Sequence, residues 1–561
     1  RERVLARDQI IMGDASAVAR ECQDKDKRYD RQIRIWGKDG QRKLETANVC
    51  LLGAGPTGSE AMKNLVLGGV SSYTIVDGTK VTERDLGNNF LMDKSSLGQS
   101  KAECCSRLLQ DFNESVSGRF VAETPEQLMD AKPDFFDGFD LVLATQLTSA
   151  YQHKLCDICR KSGARVVFGR SYGLFGLVRI SASEHTVVES KPDNVLLQLR
   201  VKDPWPELAE YASNFDLESL DDMTYKHVPY VVLLIKFAEA WKLGHGGNLP
   251  QGRAEQRDFK AFVRSQQRRR RGEPEGVADE GENFREAVEN AHYLWSPPGV
   301  PSEISRYFAD PACAEITSAS SHFWVCMAAV KDFVAERSGG ALPLPGSIPD
   351  MTATTDLYLD LKRLYDSKAE EDCDWVFDRA IQILSRTPGA DPSALGRDYV
   401  KGFCKNCAHV KVLRFPTVRQ EQEGFLGGAS QSSYLQSLLL SEDTAENAFV
   451  YLMLHAADRF RQTHGHFPGK FDEGVQEDVG RVKSIVSSAL SEAGLPTIPV
   501  AEEYVQELCR CGAGEIHTVA AVVGGIVAEE AIKLLTEQFV PLSGTLVYNA
   551  IRSTTLRIGK F

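Results

Sequence analysis

The chain has 561 residues, is 42% hydrophobic and 25% charged, and carries a formal net charge of −13. That length points to roughly three or four units of ordinary domain size, and that balance excludes wholesale disorder, a collagen-like fibre and a membrane bundle. A surface this acidic is not built to follow nucleic-acid phosphates along its whole extent, so neither a nucleic-acid nor a membrane partner is expected. The 13 cysteines are scattered and odd in number, unlike a secreted disulfide scaffold. No apolar run approaches the ~20 residues of a membrane span, and Arg1 to Ala15 holds no signal-peptide core. The expectation is a reduced, soluble protein of the cytoplasm and nucleus.

The first readable element is Arg28-Tyr-Asp-Arg-Gln-Ile-Arg-Ile-Trp-Gly37. Arg28, Arg31 and Arg34 recur every third position and share one side of a helix, while Ile33 and Trp36 can anchor it. Two readings stand: a solvated helix face, or an anchored arm whose arginines reach an anion. Val49 to Leu52 then reads as a short buried strand. Gly53, Gly55 and Gly58 follow as G-x-G-x-x-G, and Ala61, Met62, Leu65 and Val66 recur at helical spacing. The strand Tyr73–Asp77 completes a strand–helix–strand unit. Asp77 stands where an acid would meet a ribose, and the glycines would let a phosphate approach backbone N–H groups at a helix start. Alternation continues through a helix at Gln99–Leu109, a strand at Asp140–Ala144, a helix at Ala150–Lys161, and strands at Arg165–Phe168 and Phe175–Ile180. The pattern predicts a doubly wound α/β domain with a largely parallel sheet.

From about residue 190 to 500 helical periodicity dominates, as in Val228–Trp241, Ser321–Arg337, Asp356–Leu384 and Asn447–Gln462. Within it, Arg268 to Arg271 is a run of four arginines followed by a Pro/Gly/acid-rich stretch. It reads either as a localisation or phosphate patch or, more plainly, as a solvated mobile loop. A second turn-rich stretch is Ser338–Asp350. Near the end, Thr518–Leu535 reads as a helix of small residues suited to close packing on a sheet, with strands at Thr545–Tyr548 and Thr555–Ile558. Strands that return after a helical middle make that middle an insertion in the α/β domain.

Cys156/Cys159 and Cys404/Cys407 are Cys-x-x-Cys pairs. Together they could hold a zinc ion, but buried cysteines on an amphipathic helix are more often small core residues, and no metal site is expected. Neither a G-x-S-x-G elbow nor a G-x-x-x-x-G-K-[ST] loop occurs. A nicotinamide-dependent oxidoreductase would use the same glycines and Asp77, yet no His–Asp or Tyr–Lys arrangement accompanies them.

The Arg28–Gly37 segment, Gly53-Ala-Gly-Pro-Thr-Gly58, Gly98-Gln-Ser-Lys-Ala-Glu103, Gly346-Ser-Ile-Pro-Asp-Met-Thr352 and the stretch from His517 to Lys533 occur in this order. They resemble the ubiquitin-activating enzyme family, which is related to bacterial adenylating proteins. The resemblance implies an α/β fold: a doubly wound, Rossmann-like adenylation-type domain of the ThiF/MoeB kind with a large, mainly helical insertion. The expected boundaries are 1–180 and 501–561 for the α/β parts and 181–500 for the insertion. Catalytic members carry an Asn-Leu-Asn-Arg-Gln-like stretch that holds ATP and its metal. Here the corresponding residues are Asp85-Leu-Gly-Asn-Asn89, so Asn88 replaces the phosphate-binding Arg, and Thr79 replaces a second acid.

By this resemblance the chain is the non-catalytic half of a heterodimeric activating enzyme. The partner subunit carries the catalytic Cys and binds most of the MgATP, and this chain holds no cofactor alone. Arg31, with Arg34 beside it, would reach across to the partner's ATP site. Gly53, Gly55, Gly58, Asp77 and Lys101 would be a vestigial nucleotide-binding set. Gly346, Ser347, Ile348, Pro349, Asp350 and Met351 would face the partner. A ubiquitin-like modifier and, transiently, a conjugating enzyme complete the implied partners. A subunit of the SUMO-activating type, or an adaptor without catalytic input, is the alternative.

Overall fold

The structure is a computed structural model that describes residues 27–268, 281–297, 299–427, 429–495 and 501–559. Arg1 to Ala15 and Arg269 to Arg271 lie outside the described residues. The chain divides into two compact units, residues 1–187 with 412–561 and residues 188–411.

The first unit is built on an eight-stranded sheet. Its strands are β1 (Asn48–Leu52), β2 (Ser72–Val76), β3 (Ser117–Val121), β4 (Leu141–Thr145), β5 (Arg165–Tyr172), β6 (Phe175–Ser181), β7 (Thr545–Asn549) and β8 (Thr554–Ile558). The spatial order is β8-β7-β6-β5-β4-β1-β2-β3. The strands from β3 to β5 run parallel, and β6, β7 and β8 add antiparallel pairs. Over residues 28–182 the sheet is largely parallel, as the sequence suggested, and the C-terminal strands make the whole sheet mixed. Chain order reverses between β1 and β4, which opens a crevice at their C-terminal ends, the usual ligand position of this architecture. β3 escaped sequence reading because it is a mostly exposed edge strand, Ser-Gly-Arg-Phe-Val, without an apolar run.

Both faces of the parallel part are covered, which explains its continuous apolar strands. Val49, Leu51, Ile75, Leu143 and Val167 enter one core, with Ala61, Met62 and Leu65 of the helix α2 (Pro56–Gly68). Cys50, Leu52, Val142, Ala144 and Phe168 enter the other, with Leu155, Cys156 and Cys159 of the helix Ser149–Ser162. The helix α3 (His517–Thr536) lies across β5, β6 and α2. Its small residues set that approach. A Cβ on Gly524 would meet Glu60 Cβ at 2.7 Å and the Thr57 carbonyl oxygen at 2.9 Å, and one on Gly169 of β5 would meet Val527 at 2.6 Å.

Residues 412–500 were expected in the insertion, yet they belong to the first unit. The helices Ala445–His464, Val475–Glu492 and Glu502–Cys511 form one core with Tyr172, Phe175, Val547 and Ile558 of the antiparallel strands. An amphipathic stripe shows that a helix has a core but not which core, so the boundary moved from 181–500 to 188–411. Polar groups cross this layer. Arg170 pairs with Asp458 at 2.8 Å, both nearly buried, and Ser149 Oγ donates to the same carboxylate at 2.7 Å. Arg179 pairs with Glu421 and donates to Thr545 Oγ1.

The second unit is helical. Helices Tyr230–Gly244, Glu282–Asn290 and the 32-residue Thr355–Arg386 surround a core of Val231, Leu234, Phe284, Leu361 and Tyr365. Arg268 is not the solvated loop residue the sequence suggested. Its guanidinium lies 4.2 Å from the Tyr225 ring centroid and donates to the Glu218 carbonyl and to Asp222, both at 3.1 Å. Cys404 and Cys407 are buried in this unit, and no cluster of metal-ligating side chains occurs among the described residues.

Two predictions follow from the packing. Gly524→Val should lower the urea midpoint of the first unit, because a branched side chain would force α3 off α2 at a cost of about 1–3 kcal/mol. The second concerns two histidines, His185 buried and His455 partly so. Burial, with Arg179 nearby, lowers His455 to about 4, and burial with Arg165 and Lys43 lowers His185 to about 3. Below about pH 6.5 the unfolded chain takes up these protons and the folded one does not. Stability is therefore full above that pH and falls as the pH drops toward those values. Urea midpoints should decline between pH 7 and pH 5, and His455→Gln should flatten the decline; an unchanged slope would refute the assignment.

Candidate functional site

The glycine loop joins β1 to α2 at the crevice. Gly53 has φ +92°, a conformation that suits glycine, and a Cβ there would meet Thr145 Oγ1 at 2.7 Å. A Cβ on Gly58 would lie 2.2 Å from the Gly53 carbonyl oxygen. A Cβ on Gly55 would meet a different neighbour, Glu515 Oε1, at 2.5 Å. The intact glycine pattern is thus accounted for by close approaches within the chain itself.

The acid after β2 is committed to the backbone. Asp77 is 7% exposed. Its Oδ2 accepts from Ala54 N at 2.8 Å, and its Oδ1 accepts from Thr79 N at 2.8 Å and Thr79 Oγ1 at 2.6 Å. It ties the glycine loop to the turn after β2. Lys101, at the start of the helix Lys101–Gln110, is closed off in the same way by an ion pair with Asp85 at 2.7 Å. Burial works to raise the Asp85 carboxyl, but donation from Lys101 and Thr82 outweighs it and holds the group below the usual carboxylate range. Asn88 donates through Nδ2 to the Glu515 carbonyl oxygen at 3.0 Å, and Asn89 donates to the Ala54 carbonyl at 3.0 Å.

At the first turn of α2 lies a carboxylate. Glu515 Oε2 accepts from Thr57 N at 3.1 Å, from Thr57 Oγ1 at 2.6 Å and from Ser171 Oγ at 3.3 Å. Sequence reading missed this group. Its partners Thr57 and Ser171 are 458 and 344 residues away along the chain, so no local pattern marks it.

The arginine arm stands apart from the loop. Helix α1 (Asp30–Thr46) is broken at Gly37, with φ 71° and ψ 175°. The segment before the break is anchored by Tyr29, which is 3% exposed, accepts from Asn113 Nδ2 at 2.9 Å and fills the space beside Gly69. Trp36 packs on the core beside it, whereas Ile33 is only half-buried. Arg28 donates to the Phe112 carbonyl at 3.0 Å, and Arg34 pairs with Asp30 at 3.2 Å. Arg31 is more exposed than Arg34. Its side chain is 84% exposed, and its pairing with Asp30 is long, at 3.9 Å.

The segment Gly346–Met351 belongs to the second unit. Gly346 has φ +75°, and a Cβ there would crowd Asp366 and Ala369. Ile348 and Met351 point into the core, Ser347 and Pro349 are half-buried, and Asp350 is exposed. Thr352 anchors the end of the segment by donating N–H and O–H to Glu286, at 3.0 and 2.8 Å.

Asp77→Ala should leave the Ala54 and Thr79 donors without an acceptor in a nearly closed site. The expected loss is about 1–3 kcal/mol in urea denaturation; a loss under a few tenths would show that the loop holds its shape without this acid.

The ThiF family model matches residues 29–560. The chain is 45% identical over 525 residues to the NEDD8-activating enzyme E1 regulatory subunit AXR1 of Arabidopsis thaliana, covering 93% of this chain and 94% of that protein. It is 38% identical over 531 residues to the NEDD8-activating enzyme E1 regulatory subunit of Xenopus laevis, with 95% and 98% covered. The corresponding subunit of Saccharomyces cerevisiae is 26% identical over 545 residues, with 94% and 98% covered. The chain belongs to the ThiF family and, within it, to the NEDD8-activating enzyme E1 regulatory subunits.

Proposed function

We propose that this chain is the non-catalytic subunit of a heterodimeric enzyme that activates the ubiquitin-like modifier NEDD8. The full-length likeness to regulatory subunits carries this reading. The partner adenylates the modifier's C-terminus with MgATP and takes it as a thioester on its own cysteine. This chain completes the α/β dimer, and the modifier leaves the partner's cysteine by thioester exchange with the thiol of a conjugating enzyme, which frees the partner's thiol. Its own glycine loop does not fit ATP: Asn88 holds Glu515 where a phosphate-binding Arg is needed, and Lys101 is tied to Asp85.

The chain's contribution to the chemistry is Arg31. On an arm fixed by Tyr29 and Trp36, its guanidinium is exposed and available to a partner's nucleotide phosphates. A donor supplied in trans stabilises charge where it develops. Arg34, held by Asp30, is the lesser candidate. Asp350, the exposed member of Gly346–Met351, is the residue of that segment offered to the partner.

The test is ATP–pyrophosphate exchange by the chain reconstituted with a NEDD8-activating catalytic subunit. Exchange should require both chains. Arg31→Ala should reduce it by about 100- to 1,000-fold, the usual loss for one charge-stabilising donor, while leaving the complex assembled on gel filtration. Full exchange with Arg31→Ala would remove the trans role, and exchange by this chain alone would overturn the non-catalytic assignment.

A further inference from the structure

We propose that Glu515 is a built-in phosphate surrogate: its carboxylate sits in the anion seat of the glycine loop and excludes nucleotide from this chain. The first turn of a helix leaves N–H groups without intrahelical acceptors and carries partial positive charge, so an anion is favoured there. In this fold the seat at the start of α2 takes phosphate. Here the anion is internal. One oxygen of Glu515 accepts from the backbone and hydroxyl of Thr57 and from Ser171, and the other lies over Gly55, where any Cβ would collide with it. The absence of a side chain at Gly55 admits a carboxylate as readily as it would a phosphate.

The surrogate is carried by a loop clamped at several points. Asn88 donates to the Glu515 carbonyl, and Gly173 N donates to the Gly514 carbonyl at 2.8 Å. A Cβ on Gly173 would fall 2.1 Å from Cys511 Sγ, so that glycine lets the loop press onto the end of β5. Asn88 therefore does more than remove a charge from a former phosphate site: it holds the residue that fills it. A carboxylate and a phosphate cannot share this seat without strong like-charge repulsion. This inference rests on the glycine-loop reading and is independent of whether the chain assists a partner's chemistry.

The experiment uses the full chain alone and pyrophosphate as probe, read by titration calorimetry and thermal shift. The wild type should show no saturable binding at millimolar pyrophosphate. Glu515→Ala should gain a saturable site and a pyrophosphate-dependent rise in Tm. Glu515→Gln keeps an oxygen acceptor for Thr57, so it tests the charge if the alanine variant does not fold; it too should gain saturable binding at millimolar pyrophosphate, where the wild type shows none. Saturable binding by the wild type at equal affinity would overturn the proposal, as would folded variants that gain none. Neither result depends on exchange activity of a complex, so failure here is distinct from failure of the proposed function.

Discussion

The close approach of backbone to backbone around the β1–α2 turn is the constraint on which the first unit depends. Gly58 lets the start of α2 fold back on the Gly53 carbonyl, and Gly524 lets α3 lie directly on that same turn. Once these contacts are made, α3 covers β5 and β6, and the segment that precedes α3 is delivered to the crevice between β1 and β4. Interiors packed this tightly have little room to adapt. The position of Glu515 is therefore a consequence of helix packing as much as of its own hydrogen bonds.

This geometry separates two roles that a glycine motif usually combines. G-x-G-x-x-G is read as a phosphate cradle, but each of its glycines here answers to a neighbour within the chain: Thr145, Glu515 or Gly53. The same holds for the acid after β2, whose oxygens serve Ala54 and Thr79, and for Lys101, which serves Asp85. A glycine loop of nucleotide-binding pattern holds its shape while its polar groups pair internally. Internal pairing satisfies buried donors that would otherwise each cost about 1–3 kcal/mol, so the frame stays stable without a ligand.

The arginine arm follows the opposite logic. Tyr29, Asn113 and Gly69 fix its base, and Arg31, two residues on, makes a long 3.9 Å contact with Asp30 and is otherwise exposed among the described residues. Rigid support beneath an extended cation suits a residue that acts on another molecule. In the second unit, Gly346, Ile348 and Met351 turn inward and leave Asp350 outside, so most of that motif serves packing.

The sequence by itself determined the α/β class, the glycine loop, the arginine arm and the family. Each of these is written in local order or spacing: apolar runs of four or five residues, glycines at fixed offsets, motifs in a set succession. Only the tertiary structure decided that residues 412–500 belong with the sheet, that Ser117–Val121 is its edge strand, that Arg268 is docked on Tyr225, and that Glu515 fills the loop. In each case packing, not local sequence, chooses the neighbour. A helical stripe does not name the surface it will meet, an edge strand has no apolar run to betray it, and a carboxylate's partner hundreds of residues away is chosen by packing rather than by any nearby pattern.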